Sequence, residues 1–124
     1  MARLKQELLE WVESFCHRVV DLAEAVGEGG HSRRIVDQII ASGTSVGANT
    51  YEAAEAMTRA DFVKCLRIAV KELSEPLFWI RFVVRRKWVR SSRTAQLEAE
   101  YVELKRLFGA MLGRTKRSLT KPAR

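Results

Sequence analysis

Proline is nearly absent from this chain, with 2 in 124 residues, and glycine is sparse at 7. That scarcity excludes a collagen-like, loop-rich or disordered polypeptide. The 2 cysteines, Cys16 and Cys65, form no CxxC pair and are too few for a disulfide framework. The 2 histidines, His17 and His31, do not combine with either cysteine at zinc-ligand spacing. No apolar run approaches the ~18 residues of a membrane span. The longest, Leu77–Ile80, is broken by Arg81. Met1–Trp11 lacks the basic start, apolar run and cleavage site of a signal peptide, and Glu7, Glu10 and Glu13 oppose a transit peptide. A cytoplasmic protein without a membrane partner is expected. No segment alternates with period 2, so no sheet is expected.

Apolar residues recur instead at steps of 3 and 4. Leu8, Val12, Phe15, Val19, Leu22 and Val26 form a first helical stripe, closed by Gly27-Glu28-Gly29-Gly30. Ser32 is placed to cap a second helix carrying Ile35, Ile39, Val46 and Ala53. Its middle, Ala41 to Ala48, is nearly all small. Gly43 and Gly47 lie four apart on one face, where they would admit another helix closely; a loop, a kink or a helix-turn-helix are the competing readings. After a turn at Met57-Thr58-Arg59, where Thr58-Arg59-Ala60-Asp61 resembles a capping box with Asp for the usual Glu or Gln, a third helix presents Phe62, Leu66, Ala69, Leu73, Leu77, Ile80 and Val84, with a kink expected from Pro76. A further turn is read at Ser91–Thr94. The fourth stripe is Leu97, Tyr101, Leu104, Phe108 and Met111. Residues 1–124 thus predict one all-α domain, an up-down-up-down four-helix bundle with a frayed basic tail over about 115–124.

Catalytic constellations are lacking: no Gly-rich phosphate loop, GxSxG elbow or HExxH occurs. Glu28-Gly29-Gly30-His31 has the spacing of one di-iron ligand pair, but its glycines make it a loop. A protein that is not an enzyme, with no metal and no cofactor, is expected. Cys16 and Cys65 read as small buried hydrophobes. A polar trio, Ser45, Asn49 and Glu52, shares one face of the second helix, and Glu72 and Glu75 lie in the apolar third. These residues form either a structural hydrogen-bond network, with Arg67, Lys71 or Arg81 as partners, or a ligand-contacting seam. Asn49 is expected to be a buried, satisfied amide. The third helix carries more apolar surface than one stripe. Trp79, Phe82 and Val83 fall on a second face, which predicts a homo-oligomer interface.

Charge is unevenly distributed. Residues 1–80 carry 9 basic and 12 acidic side chains, net −3; residues 81–124 carry 13 and 3, net +10. Arg81, Arg85, Arg86, Lys87, Arg90 and Arg93 surround the end of the third helix, and Arg114, Lys116, Arg117, Lys121 and Arg124 the chain end. Helix-dipole complementarity explains only part of the first cluster. The remainder predicts a polyanion partner, RNA or DNA, bound through its backbone with little sequence selectivity. A protein-binding adaptor or scaffold, in which the charge only solubilises, is the alternative.

Ser45-Val46-Gly47-Ala48-Asn49-Thr50-Tyr51-Glu52 resembles the Ser-x-x-x-Asn-x-x-Glu signature of the bacterial four-helix-bundle family linked to intervening sequences of large-subunit ribosomal RNA genes. Ala60-Asp61-Phe62-Val63, Leu66–Ala69, and Lys71-Glu72-Leu73-Ser74-Glu75 followed by Trp79 are similar to its third-helix pattern. The resemblance implies a cytosolic bundle that assembles as a ring, with a pentamer as the expected form. It also implies kinship with the accessory variability proteins of diversity-generating retroelements, which bind nucleic acid and a reverse transcriptase.

Overall fold

The computed structural model describes residues 4–120, with side chains as far as Thr115. Its helical segments are α1 (Gln6–Glu28), α2 (Arg33–Ala54), α3 (Arg59–Glu72), α4 (Ser74–Arg85) and α5 (Ser91–Thr120), and there is no strand among the described residues. The boundaries follow from local chemistry. Gly29 N–H closes α1 by donating to the Ala25 carbonyl, and Gly30 takes φ +79°, the left-handed geometry that suits glycine. Ser32 Oγ accepts from Ile35 N–H at 3.4 Å and Thr58 Oγ1 from Asp61 N–H at 3.1 Å, so both expected caps are in place.

Helix α2 runs unbroken through its small residues, which rules out the loop, kink and helix-turn-helix readings. The glycines do serve close approach. A Cβ added at Gly43 would lie 2.7 Å from Val19 Cγ1 and 2.8 Å from Val19 Cβ; one at Gly47 would lie 2.9 Å from Cys16 Sγ. Helices α1 and α2 therefore pack more tightly there than any side chain on α2 would allow.

The expected third helix is two segments separated by Leu73 alone, whose φ −61° and ψ −26° remain right-handed. Pro76 has no N–H for the carbonyl of Glu72, and its ring crowds that oxygen. The helix therefore ends at Glu72 and restarts, leaving Pro76 in the first turn of α4, where a missing donor costs little. Both segments pack against α2 and α5, so they form one bent rod of a four-rod bundle. The turn expected at Ser91–Thr94 falls instead at Arg86–Arg90, because Trp88 and Val89 tuck into the bundle end. Lys87 makes the reversal at φ 64°. Helix α5 continues to Thr120, past the point where fraying was expected; Lys121 and Arg124 lie outside the described residues.

The core is built from the predicted stripes. Phe15, Ile39, Phe62, Leu66, Leu73, Ile80, Leu104 and Phe108 are fully buried. Each such side chain contributes about 1.5–3 kcal/mol relative to an exposed one. The His31 ring stacks on Trp88 at 4.1 Å between centroids, which sets the α1–α2 link beside the α4–α5 link at one end of the bundle.

Candidate functional site

Arg85, Arg86 and Lys87 are exposed at the end of α4, and Arg90 and Arg93 at the start of α5. None of the five forms an ion pair among the described residues. Arg86 lies over Trp88, 5.7 Å from the ring centroid. Cations suit the negative C-terminus of α4, but Arg90 and Arg93 meet the positive N-terminus of α5. Local stability therefore does not explain them. Arg81 departs from the expected cluster: its Nε and Nη2 donate to Glu98 Oε1 at 2.9 and 2.8 Å, so its charge is already balanced. Arg114 is exposed, but the rise of α5 sets it about 30 Å from Arg93. The two basic regions thus do not make one face. The side chains of Lys116 and Arg117 lie outside the described residues.

The expected second apolar face is real but differently composed. Val83 is 0% exposed and belongs to the core, so it is withdrawn from the interface. Trp79 and Phe82 are half-buried and meet edge to face at 5.6 Å. Phe78, missed in the sequence, is 56% exposed and stacks on Phe82 at 5.8 Å. It centres an open depression of about 650 Å³ that Leu77, Phe82, Arg81, Arg85 and Arg86 also line.

The polar motif does not form one network. Ser45 Oγ donates to Ser42 O at 3.1 Å and lies 3.3 Å from Glu72 Oε2, a link between α2 and α3. Asn49 is half-buried rather than buried, and its Nδ2 donates to the Ser45 carbonyl of its own helix at 2.8 Å. Glu52 is exposed. Glu75 accepts from Trp79 Nε1 at 3.2 Å, one turn along α4. The glutamates thus bond to a serine and an indole, not to Arg67, Lys71 or Arg81. The one titration that stands out is Cys16, where burial pushes the thiol up to about 11. Such a thiol stays protonated and is a poor nucleophile. Among the described residues no three His, Cys, Asp or Glu side chains gather as metal ligands, and no helix is long and apolar enough to cross a membrane.

A family model described as 23S rRNA-intervening sequence protein matches residues 5–110. The chain belongs to that family. A solved structure, a protein with unknown function from the S23 ribosomal protein family of Bacteroides thetaiotaomicron VPI-5482, is similar at 30% identity and TM-score 0.78. The alignment covers 85% of this chain and 97% of that one. No curated protein matches. The match takes in α1 to α4 and most of α5, so the motif residues and the α4–α5 basic cluster both lie on the shared family core.

Proposed function

We propose that this family member acts by binding rather than by catalysis: an up-down bundle that assembles as a ring-like homo-oligomer, a pentamer on the family expectation, and holds nucleic acid electrostatically. The observation that carries the reading is the group Arg86, Lys87, Arg90 and Arg93, exposed at one end of the bundle without ion pairs among the described residues and partly against the local helix dipole. Phosphate is the ligand that such a group suits, through charge-assisted hydrogen bonds. A ring would repeat the group around one rim and multiply phosphate contacts without adding a base-reading element. The glutamates of the polar motif, engaged with Ser45 and Trp79, support structural roles for those residues. The retroelement kinship that the resemblance implies would make a reverse transcriptase a second partner to seek by co-purification.

The test is a titration of labelled RNA and DNA at several salt concentrations. Each neutralised phosphate contributes about −0.9 to the slope of log affinity against log salt on duplex DNA and about −0.7 on single strands. Replacing Arg86, Lys87, Arg90 and Arg93 by glutamine should weaken binding to all sequences and flatten that slope. Absence of binding at low salt refutes the nucleic-acid reading and favours the adaptor; binding that salt hardly affects removes the basic group as its cause.

A further inference from the structure

Two surfaces of the molecule have no partner within it, and they are complementary. The first is the α4 face around Phe78, where Arg85 forms no ion pair among the described residues while Arg81 is held by Glu98. The second is a shallow groove along the outer face of α1 and α2, which Gly27 and Gly47 help to line. Its floor is apolar, with Val20 and Ile40 half-buried at its middle, where two adjoining depressions of about 540 and 610 Å³ meet. Glu13, Glu24 and Glu28 line its α1 side, and none of the three forms an ion pair among the described residues; the one arginine on the α2 side, Arg33, is paired with Asp37 at 3.3 Å. An exposed aromatic beside an unpaired arginine on one side thus corresponds to an apolar trough walled by glutamates on the other.

We infer that Phe78 of one copy packs into the α1–α2 groove of the next, with Arg85 facing Glu28. Two arguments select a second copy in this orientation. An isologous contact of α4 on α4 would leave the α1–α2 groove and its glutamates uncovered. A heterologous contact avoids this, and it closes into a ring only if the successive copies are related by rotation without a shift along the axis. The levels of the two faces meet that condition. The His31–Trp88 stack places the C-terminal ends of α1 and α4 at the same end of the bundle. Counted back from those ends at the α-helical rise, Phe78 lies about 10 Å in and Val20 about 12 Å. Arg85 and Glu28 are the last residues of their helices. Side-by-side copies therefore bring aromatic to apolar floor and cation to anion with no axial offset. Arg86, Lys87, Arg90 and Arg93 are then left on one rim.

This inference rests on the oligomeric reading above, and mixing experiments separate the two. Phe78→Glu disables the α4 face, at a position exposed enough to leave the fold intact; Ile40→Glu disables the groove. Circular dichroism checks helicity, and Thr44→Glu, on the exposed groove wall, replaces Ile40→Glu if that variant unfolds. Each variant alone should run as a 14.2 kDa monomer in light scattering behind a sizing column. An equimolar mixture retains one intact contact and should give a dimer of twice that mass. Arg85→Glu and Glu28→Arg should each weaken the wild-type assembly several-fold, and the two in one chain should restore it. A wild type that assembles while the mixture stays monomeric, or variants that assemble like wild type, overturn this interface and leave the oligomer. A wild type that is monomeric at high micromolar concentration overturns both.

Discussion

Replacing Gly43 by alanine adds one methyl group at the closest point between α1 and α2. In an isolated helix the change is favourable, since alanine exceeds glycine by about 1 kcal/mol in helix propensity. Here the new Cβ would lie 2.7 and 2.8 Å from Val19 Cγ1 and Cβ. Val19 is 0% exposed, and its Cβ is fixed to the α1 backbone, so it has no rotamer that yields the space. The helices must separate instead, and overpacking of this kind costs typically about 1–3 kcal/mol. The net expectation for Gly43→Ala is a loss of up to about 2 kcal/mol. Gly109 supplies the control. It lies inside α5, and a Cβ there would meet nothing within 4 Å. Gly109→Ala keeps the propensity gain and should stabilise by about 1 kcal/mol.

Thermal unfolding followed by circular dichroism, at one fixed protein concentration, reads both changes. For a domain of this size 1 kcal/mol corresponds to about 3–6 °C in Tm. Gly43→Ala should lower Tm and Gly109→Ala raise it. Adding Val19→Ala to Gly43→Ala should recover part of the loss, so that the double variant is more stable than the sum of the two single losses. Equal gains from both glycines, or purely additive effects of Gly43→Ala and Val19→Ala, would refute the close approach of α1 and α2.

Two further outcomes test other contacts. Glu100 bridges α1 to α5: its Oε2 bonds Arg18 Nη2 and accepts from Trp11 Nε1 at 3.4 Å, with the glutamate side chain 18% exposed. Glu100→Gln should cost about 1–3 kcal/mol in urea unfolding, since the arginine loses its counter-charge in a partly dry site; an unchanged midpoint refutes that role. Asn49→Leu removes only a bond to a carbonyl that the α2 ladder already uses, so it should shift stability by less than about 1 kcal/mol. A larger loss would mean that the amide has a partner across the bundle.

Periodicity made most of the fold legible, because residues that face a common core on a 3.6-residue helix must recur at 3 and 4. Caps at Ser32 and Thr58 and the glycine exit of α1 were legible for the same reason: each is local chemistry. What was misread depended on tertiary packing. The α4 stripe was read as Leu77, Ile80 and Val84, whereas Pro76, Ile80 and Val83 are buried. Both sets fall within about 60° of the stripe that Phe62, Leu66 and Leu73 begin, so spacing alone does not choose between them. The break at Leu73 and the packing of α4 on both α2 and α5 decide it, moving Val83 inward and Phe78 outward. The α4–α5 turn was misplaced because Trp88 earns its position from a stack on His31, 57 positions away in sequence. Of the site, the exposed cations were legible from composition. The loss of Arg81 to Glu98 was not, since it joins α4 to α5.

The proposed contact gives a physical reason for the charge division along the chain. A net of −3 over residues 1–80 and +10 over 81–124 would be an arbitrary split in a monomer, where both halves face the same solvent. In a head-to-tail ring the acidic α1 edge of one copy lies against the basic α4 edge of the next, and opposite charges are then required on opposite flanks. A small number of such pairs sets orientation and partner more than affinity. Burial of Phe78 would supply the apolar contribution, and the Arg85–Glu28 pair would fix the level at which it enters. The charge left unmatched is positive and sits on the rim of the α1–α2 and α4–α5 links. Assembly and nucleic-acid binding would thus draw on different cations, Arg85 for the first, and Arg86, Lys87, Arg90 and Arg93 for the second. Neutralising the rim should therefore leave the oligomer intact, and reversing Arg85 should weaken it before it changes the salt slope for any single subunit.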